Sequence, residues 1–278
     1  MSSRILLGVS GGPKNQSLTD LAFHLAKHSD CALSALAIKD VERLKQTDSK
    51  SLGVYSHQVR RIEERLLRAN EHLEKRLDEY AELAAENGVR FTPLSVQGDA
   101  LQAVLEAWRF HDLLITETNP WAIGADAPEQ STVLLKLIAH GIRPVLSVPK
   151  GAPSRIGKCL VALSGSLESA KALKHLVRVG VFPGAAIHLV TVGAPKSGES
   201  AEELLRKALE YCEIHGHDAT SSVLEGASSD ALLREIENVD ADLIAIGSSF
   251  RRFLLKERFG THAKAIIDRS PVSVFISH

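Results

Sequence analysis

The chain has 278 residues, with 33 Lys and Arg against 34 Asp and Glu and a formal net charge of -1, enough length for one large or two small domains. That balance supplies no global field to draw in nucleic acid or an anionic membrane, so neither is expected as a partner. No segment approaches the roughly 18 apolar residues of a spanning helix, the first apolar run (Ile5 to Val9) is too short for a secretory leader, and Cys31, Cys159 and Cys212 form no CxxC, so a cytoplasmic protein with reduced thiols is expected.

Taken in chain order, residues 4–26 read as a strand, a Ser-Gly turn and a helix with alanine and leucine on one face. Residues 31–40 (CALSALAIKD) read as a second strand. Residues 55–88 form a long charged helical stretch in which Leu66, Leu73, Leu77 and Leu83 supply an apolar stripe, and Glu71 with Lys75 shows the i,i+4 spacing of an exposed face. An amphipathic surface helix is expected there rather than a partner-binding coil, and no chemistry is assigned to it. Residues 94–118 give strand, Gly turn, helix and strand, with Trp108 beside Leu101, Val104 and Leu105 on an apolar face. Residues 131–149 give a helix, a Pro-containing turn and a strand.

The same order then returns. Residues 158–177 repeat 4–26, 185–194 repeat 31–40, 222–248 repeat 94–118, and 261–277 repeat 131–149, while the counterpart of the long helix, 198–216, is shorter. Runs such as Leu160 to Leu163 and Leu243 to Ile246 are continuously apolar, as strands covered on both faces must be, so each half is an α/β parallel sheet. The joint is KGAPSRIGK (150–158), and the boundary is placed near Pro153, giving domains 1–152 and 153–278.

In such a sheet ligands bind beyond the carboxyl ends of the strands, where Gly247 ends the fourth strand of the second half. A glycine there lets backbone N–H groups approach an anion, and Gly260 with Thr261 opens a helix whose N-terminal amides favour phosphate oxygens. Between them Arg251, Arg252, Lys256 and Arg258 crowd a loop that reads either as a solvated segment or as a clamp for phosphate or carboxylate.

The sequence Gly247, Ser248, Ser249, Phe250, nine residues, Gly260, Thr261 resembles the G-x2-G-x9-G-[ST] pattern of ATP-binding members of the universal stress protein family. With the repeat order and the closing SPVSVFIS strand, the whole chain resembles the family's tandem form. That resemblance implies two Rossmann-like domains of the adenine-nucleotide alpha-hydrolase-like kind, joined through their last strands (Val145 to Val148 with Val272 to Ile276) as an intramolecular pseudo-dimer. Two such chains could associate further. It implies a ligand crevice in the second half lined by Ser164, Val192, Gly247, Ser248, Gly260 and Thr261, for ATP or another adenine nucleotide.

Departures from the pattern matter as much. Phe250 replaces the second glycine, and Ser164 and Ser10 stand where ATP-binding relatives carry an aspartate, losing a charge-assisted contact. In the first half Glu117 holds the place of the first glycine, with Ser131 and Thr132 at the last pair, and a carboxylate there repels phosphate. The first half is therefore expected not to bind ATP in the family's manner.

Other constellations give little. GxGxxG and GxxxxGK[ST] are absent, and Ser10 and Ser164 lack the GxSxG context of a nucleophile. His215 and His217 with Asp218 fall in a loop without a companion cluster, and His175 and His188 read as helix and strand residues. No metal is assigned. Three functions follow: a non-enzymatic stress-response or regulatory protein with its ligand site in the second half, an interaction module with closed pockets, or a slow ATP-hydrolysing enzyme, which would need a metal-binding carboxylate near Gly247.

Overall fold

The computed structural model describes residues 3–39, 56–118, 132–141, 143–248, 250–253, 256–259 and 261–278. Strands and helices alternate. The first half runs β1 (Arg4–Val9), α1 (Gln16–His28), β2 (Ala32–Lys39), α2 (Ser56–Asn87), β3 (Phe91–Gln97), α3 (Ala100–Trp108), β4 (Leu113–Thr116), α4 (Thr132–His140) and β5 (Val145–Ser147). The second runs β6 (Lys158–Ala162), α5 (Leu167–Val179), β7 (Ala186–Val192), α6 (Ala201–Ile214), β8 (Ala219–Leu224), α7 (Ser228–Asn238), β9 (Leu243–Gly247), β10 (Phe250–Phe253), β11 (Lys256–Phe259), α8 (Thr261–Arg269) and β12 (Ser273–Ser277).

Ten strands form one sheet in the order β3-β2-β1-β4-β5-β12-β9-β6-β7-β8. In this sheet every pairing inside a half is parallel, for example Ile5 with Leu113 and Cys159 with Leu243. The strand order reverses direction between β1 and β4 and again between β6 and β9, and crevices for ligands open at such points. The joint is antiparallel: Val274, Phe275 and Ile276 pair with Ser147, Leu146 and Val145, so two edge strands satisfy each other within one chain.

The central strands are apolar on both sides because helices cover both. One core cluster gathers α1, α2, α5 and α6 residues such as Leu21, Leu73, Leu176 and Leu205, and the other gathers Val104, Leu137, Ile236 and Ile266 from α3, α4, α7 and α8. Each cluster spans both halves. Along β12 the pleat sends Phe275 into the first and Val274 with Ile276 into the second, so a single strand ties both cores across the joint.

Local signals explain the helix starts. Asn15, Asp99, Ser166 and Ser200 each accept a backbone N–H from the first turn of α1, α3, α5 and α6, and Gly180 ends α5 in the left-handed region. Helix α2 buries Leu73, Leu77, Tyr80 and Ala84 along the expected stripe; Leu66 lies outside the described side chains. Trp108 is buried and packs against Gly141, as its apolar face predicted.

One expectation is corrected. The basic stretch after Gly247 reads in sequence as a loop, but β10 and β11 form an antiparallel hairpin pairing Arg251 with Arg258 and Arg252 with Glu257. FRRF is bracketed by Phe250 and Phe253, KERF closes on Phe259, and Phe250 pairs opposite Phe259, an aromatic pair that suits two short strands joined to each other.

Cys31, Cys159 and Cys212 are free and buried, and burial pushes the Cys159 thiol up to about 12 and that of Cys212 to about 11. Such thiols stay protonated and inert at neutral pH. Among the described residues no helix is long and apolar enough to cross a membrane.

Candidate functional site

The second-half crevice starts from the turn after β6. Ser164 donates its N–H to Ser169 Oγ (3.2 Å) and its hydroxyl to Ser166 Oγ (3.1 Å), and its carbonyl accepts from the Lys196 N–H at 2.8 Å. All of its polar groups are engaged within the protein. Gly165 follows with φ +73, and a Cβ there would lie 2.7 Å from Ser197 Oγ and 2.9 Å from Pro195, so the segment after β7 lies directly on this turn. Val192 ends β7 beneath that segment, with the Gly193 N–H bonded to Leu224 O.

Gly247 ends β9. A Cβ on it would stand 2.3 Å from the carbonyl carbon of Glu168 and 2.4 Å from the Ser169 nitrogen, so the strand end is pressed against the first turn of α5. Ser248 is buried, donates its N–H to Ser277 O (2.8 Å), and its carbonyl lies 2.8 Å from His278 Nδ1. Glu168 provides the anion at this helix start: its own backbone N–H, then the Ser166 hydroxyl, with Lys171 and His278 adding, hold its carboxyl below the usual carboxylate range. The dipole that would favour a ligand anion at α5 already has a carboxylate.

Of the six residues expected to line the crevice, Ser164 and Gly247 meet the start of α5, while Ser248 is bonded to Ser277 and His278. Thr261 is the first residue of α8, its side chain lying outside the described set, as does Gly260 entirely.

The first half shows a different arrangement. Glu117 is half-buried just after β4 and accepts from Ser10 Oγ at 3.2 Å. Burial pushes its carboxyl up from the ordinary range, against Ser10, Lys150 and Arg76, which favour the charged form. Helix α2 lies across this crevice: a Cβ on Gly11 would meet Ala69 Cβ at 2.9 Å, and Arg76 donates to the carbonyls of Ser10 (3.0 Å) and Gly12 (3.1 Å). The ring hydroxyl of Tyr80 lies 3.0 Å from Thr19 Oγ1 and Lys14 pairs with Glu79 at 3.6 Å. The inserted helix thus supplies both a wall and a cation. Sequence reasoning missed Arg76 because an arginine on the polar stripe of a helix carries no mark of what it reaches.

A raised carboxyl pKa means the folded state holds its proton to higher pH than the unfolded chain, so stability falls as pH rises through the window between the ordinary glutamate value and the raised one. Glu117→Gln is expected to remove that contribution: the wild-type midpoint in urea minus that of the variant, measured from pH 4 to 7, should decline as pH rises through this window.

His188 sits in a polar network of hydroxyls and one carboxylate. Its Nδ1 lies 2.7 Å from Thr220 Oγ1, and its Nε2 lies 3.0 Å from Ser222 Oγ and 3.4 Å from Glu235 Oε1. The Ser222 hydroxyl and the Glu235 carboxylate share one ring nitrogen, and the Thr220 hydroxyl lies on the opposite one, so the imidazole bridges β8 and α7. His175 Nδ1 contacts Ser277 Oγ at 2.7 Å, and His215 bonds Tyr211 O at 2.9 Å on the loop expected for it. Among the described residues no group of three or more His, Cys, Asp or Glu is set to hold a metal.

Residues 155–278 match the model of the Universal stress protein family. Among solved structures the chain is similar to a universal stress protein from Archaeoglobus fulgidus, with TM-score 0.72, 18% identity, and coverage of 100% of this chain and 99% of that one. It is also similar to a Pseudomonas aeruginosa protein described as functionally unknown, with TM-score 0.64, 17% identity, and coverage of 99% and 92%. At these identities the likeness is one of fold. No curated protein matches the sequence.

Proposed function

We propose, from the premise that residues 155–278 belong to the universal stress protein family and that the whole chain has its tandem fold, that this protein is a non-enzymatic regulatory protein whose single ligand crevice lies in the second half. The ligand class is an adenine nucleotide or another small anion, as the resemblance of the Gly247 to Gly260 and Thr261 spacing to the family's ATP-binding pattern implies.

The observation that carries this reading is the asymmetry at equivalent strand ends. β4 is followed by Glu117, a half-buried carboxyl bonded by Ser10 whose turn Arg76 clasps, while β9 ends in Gly247 and Ser248 ahead of a helix that begins at Thr261. A carboxylate at that place repels phosphate; a glycine and a helix N-terminus do not. The interaction-module reading rests on Glu168 at the start of α5 and on the Lys196 to Ser164 bond, which fill part of the second crevice from within.

Calorimetric titration of ATP, ADP and AMP, with and without magnesium, tests the choice. Saturable heat that Gly260→Trp lowers at least tenfold in affinity supports the nucleotide reading. Absence of heat for all three moves the function to the interaction module.

A further inference from the structure

His24 and His28 lie one turn apart on α1, with ring centroids 4.2 Å apart and planes inclined by 43°. The helix beneath them is fixed, because Leu21, Ala22, Leu25 and Ala26 are buried against the sheet and Asn15 caps the first turn. His24 is half-buried and His28 exposed. His111, His175 and His188 each spend a ring nitrogen on a serine or threonine hydroxyl, whereas among the described residues neither ring of this pair has a hydrogen-bond partner.

The fold does not demand the pair. Counting from the caps Asn15 and Ser166, α5 carries His175 where α1 has His24, but Val179 where α1 has His28. Two imidazoles this close repel when both are charged, and burial, with His28 and Arg155 adding, already holds His24 below the ordinary imidazole range.

We propose that His24 and His28 form a two-imidazole site for a borderline divalent transition cation. Imidazoles at i and i+4 share one helix face and can meet one ion about 2 Å from each nitrogen, the geometry used by paired histidines of zinc helices. The site requires the exposed His28 ring to turn so that one nitrogen of each ring faces the ion. No third protein donor joins them among the described residues, so water completes the coordination, and Arg155 nearby opposes the added positive charge. Copper(II) is bound more tightly than zinc(II), by the usual order for nitrogen ligands. The site lies on the first half and is independent of the nucleotide reading.

The test uses the tag-free, chelator-stripped full chain titrated with copper(II) and zinc(II). Binding of one copper per chain is expected, weakened at least tenfold by His28→Ala and by His24→Ala and unchanged by His175→Ala. The electron paramagnetic resonance spectrum of the copper adduct should show coupling to two nitrogens, one of which His28→Ala removes. Since His28 is exposed, that variant folds. No copper binding, or binding that the His24→Ala, His28→Ala double variant leaves intact, overturns the site.

Discussion

Gly247→Val is expected to destabilise the second half by at least about 3 kcal/mol, beyond the common range for overpacking, because the clash is with backbone on both sides. A Cβ there would stand 2.3 Å from the Glu168 carbonyl carbon, 2.4 Å from the Ser169 nitrogen and 2.5 Å from the Glu168 oxygen. Neither partner can retreat. Glu168 and Ser169 sit in the first turn of α5, held by the Ser166 cap, and β9 is paired on both sides, with β12 and β6. Gly12→Ala is the control: a Cβ there finds nothing nearer than Ser10 Oγ at 3.8 Å, so its urea midpoint should stay near that of the wild type. A Gly247→Val protein as stable as the wild type would mean that β9 and α5 are not pressed together. The consequence reaches the functional argument, since this glycine is required by packing alone, and its presence is not by itself a sign of a ligand.

The second large effect is expected at the joint. Phe275 is fully buried, pairs opposite Leu146 and stands edge-on to Phe182 with ring centroids 6.1 Å apart. Phe275→Ala removes a large side chain from the core face that both halves share, for a loss of about 3–5 kcal/mol. Because β12 links the two halves, that loss should also uncouple them: a single unfolding transition in the wild type should become two, and Phe275→Leu should restore one. A single transition retained by Phe275→Ala with an unchanged midpoint would show that the antiparallel joint contributes little.

The sequence reveals the fold for a physical reason. Strands covered on both faces must be apolar throughout, so β4 and β9 stand out as runs bounded by turn residues, and the repeat of such runs in one order announces two sheets of one topology. The pairing of β5 with β12 followed from the family resemblance, and its register is seen only in the structure. Site chemistry was legible only where a residue type is unusual for its place. Glu117 at a strand end was recognisable as an obstacle to phosphate; that it is half-buried against Ser10 was not, since burial depends on α2 crossing the turn. Arg76 and Glu168 were missed for the same reason: a charged residue on a polar helix face reads as solvated until the backbone it meets is known. The hairpin of β10 and β11 was hidden because four-residue strands with mixed charge carry too short a period to separate from a loop.

Asymmetry between the halves is the central claim, and native mass spectrometry of the intact chain in excess ATP counts it directly. The expected result is one nucleotide per chain, lost in Gly260→Trp and retained in Arg76→Ala. Two nucleotides per chain would show that Glu117 and α2 do not close the first crevice, and none would show that the second is filled by the protein's own groups; either contradicts a single crevice in the second half.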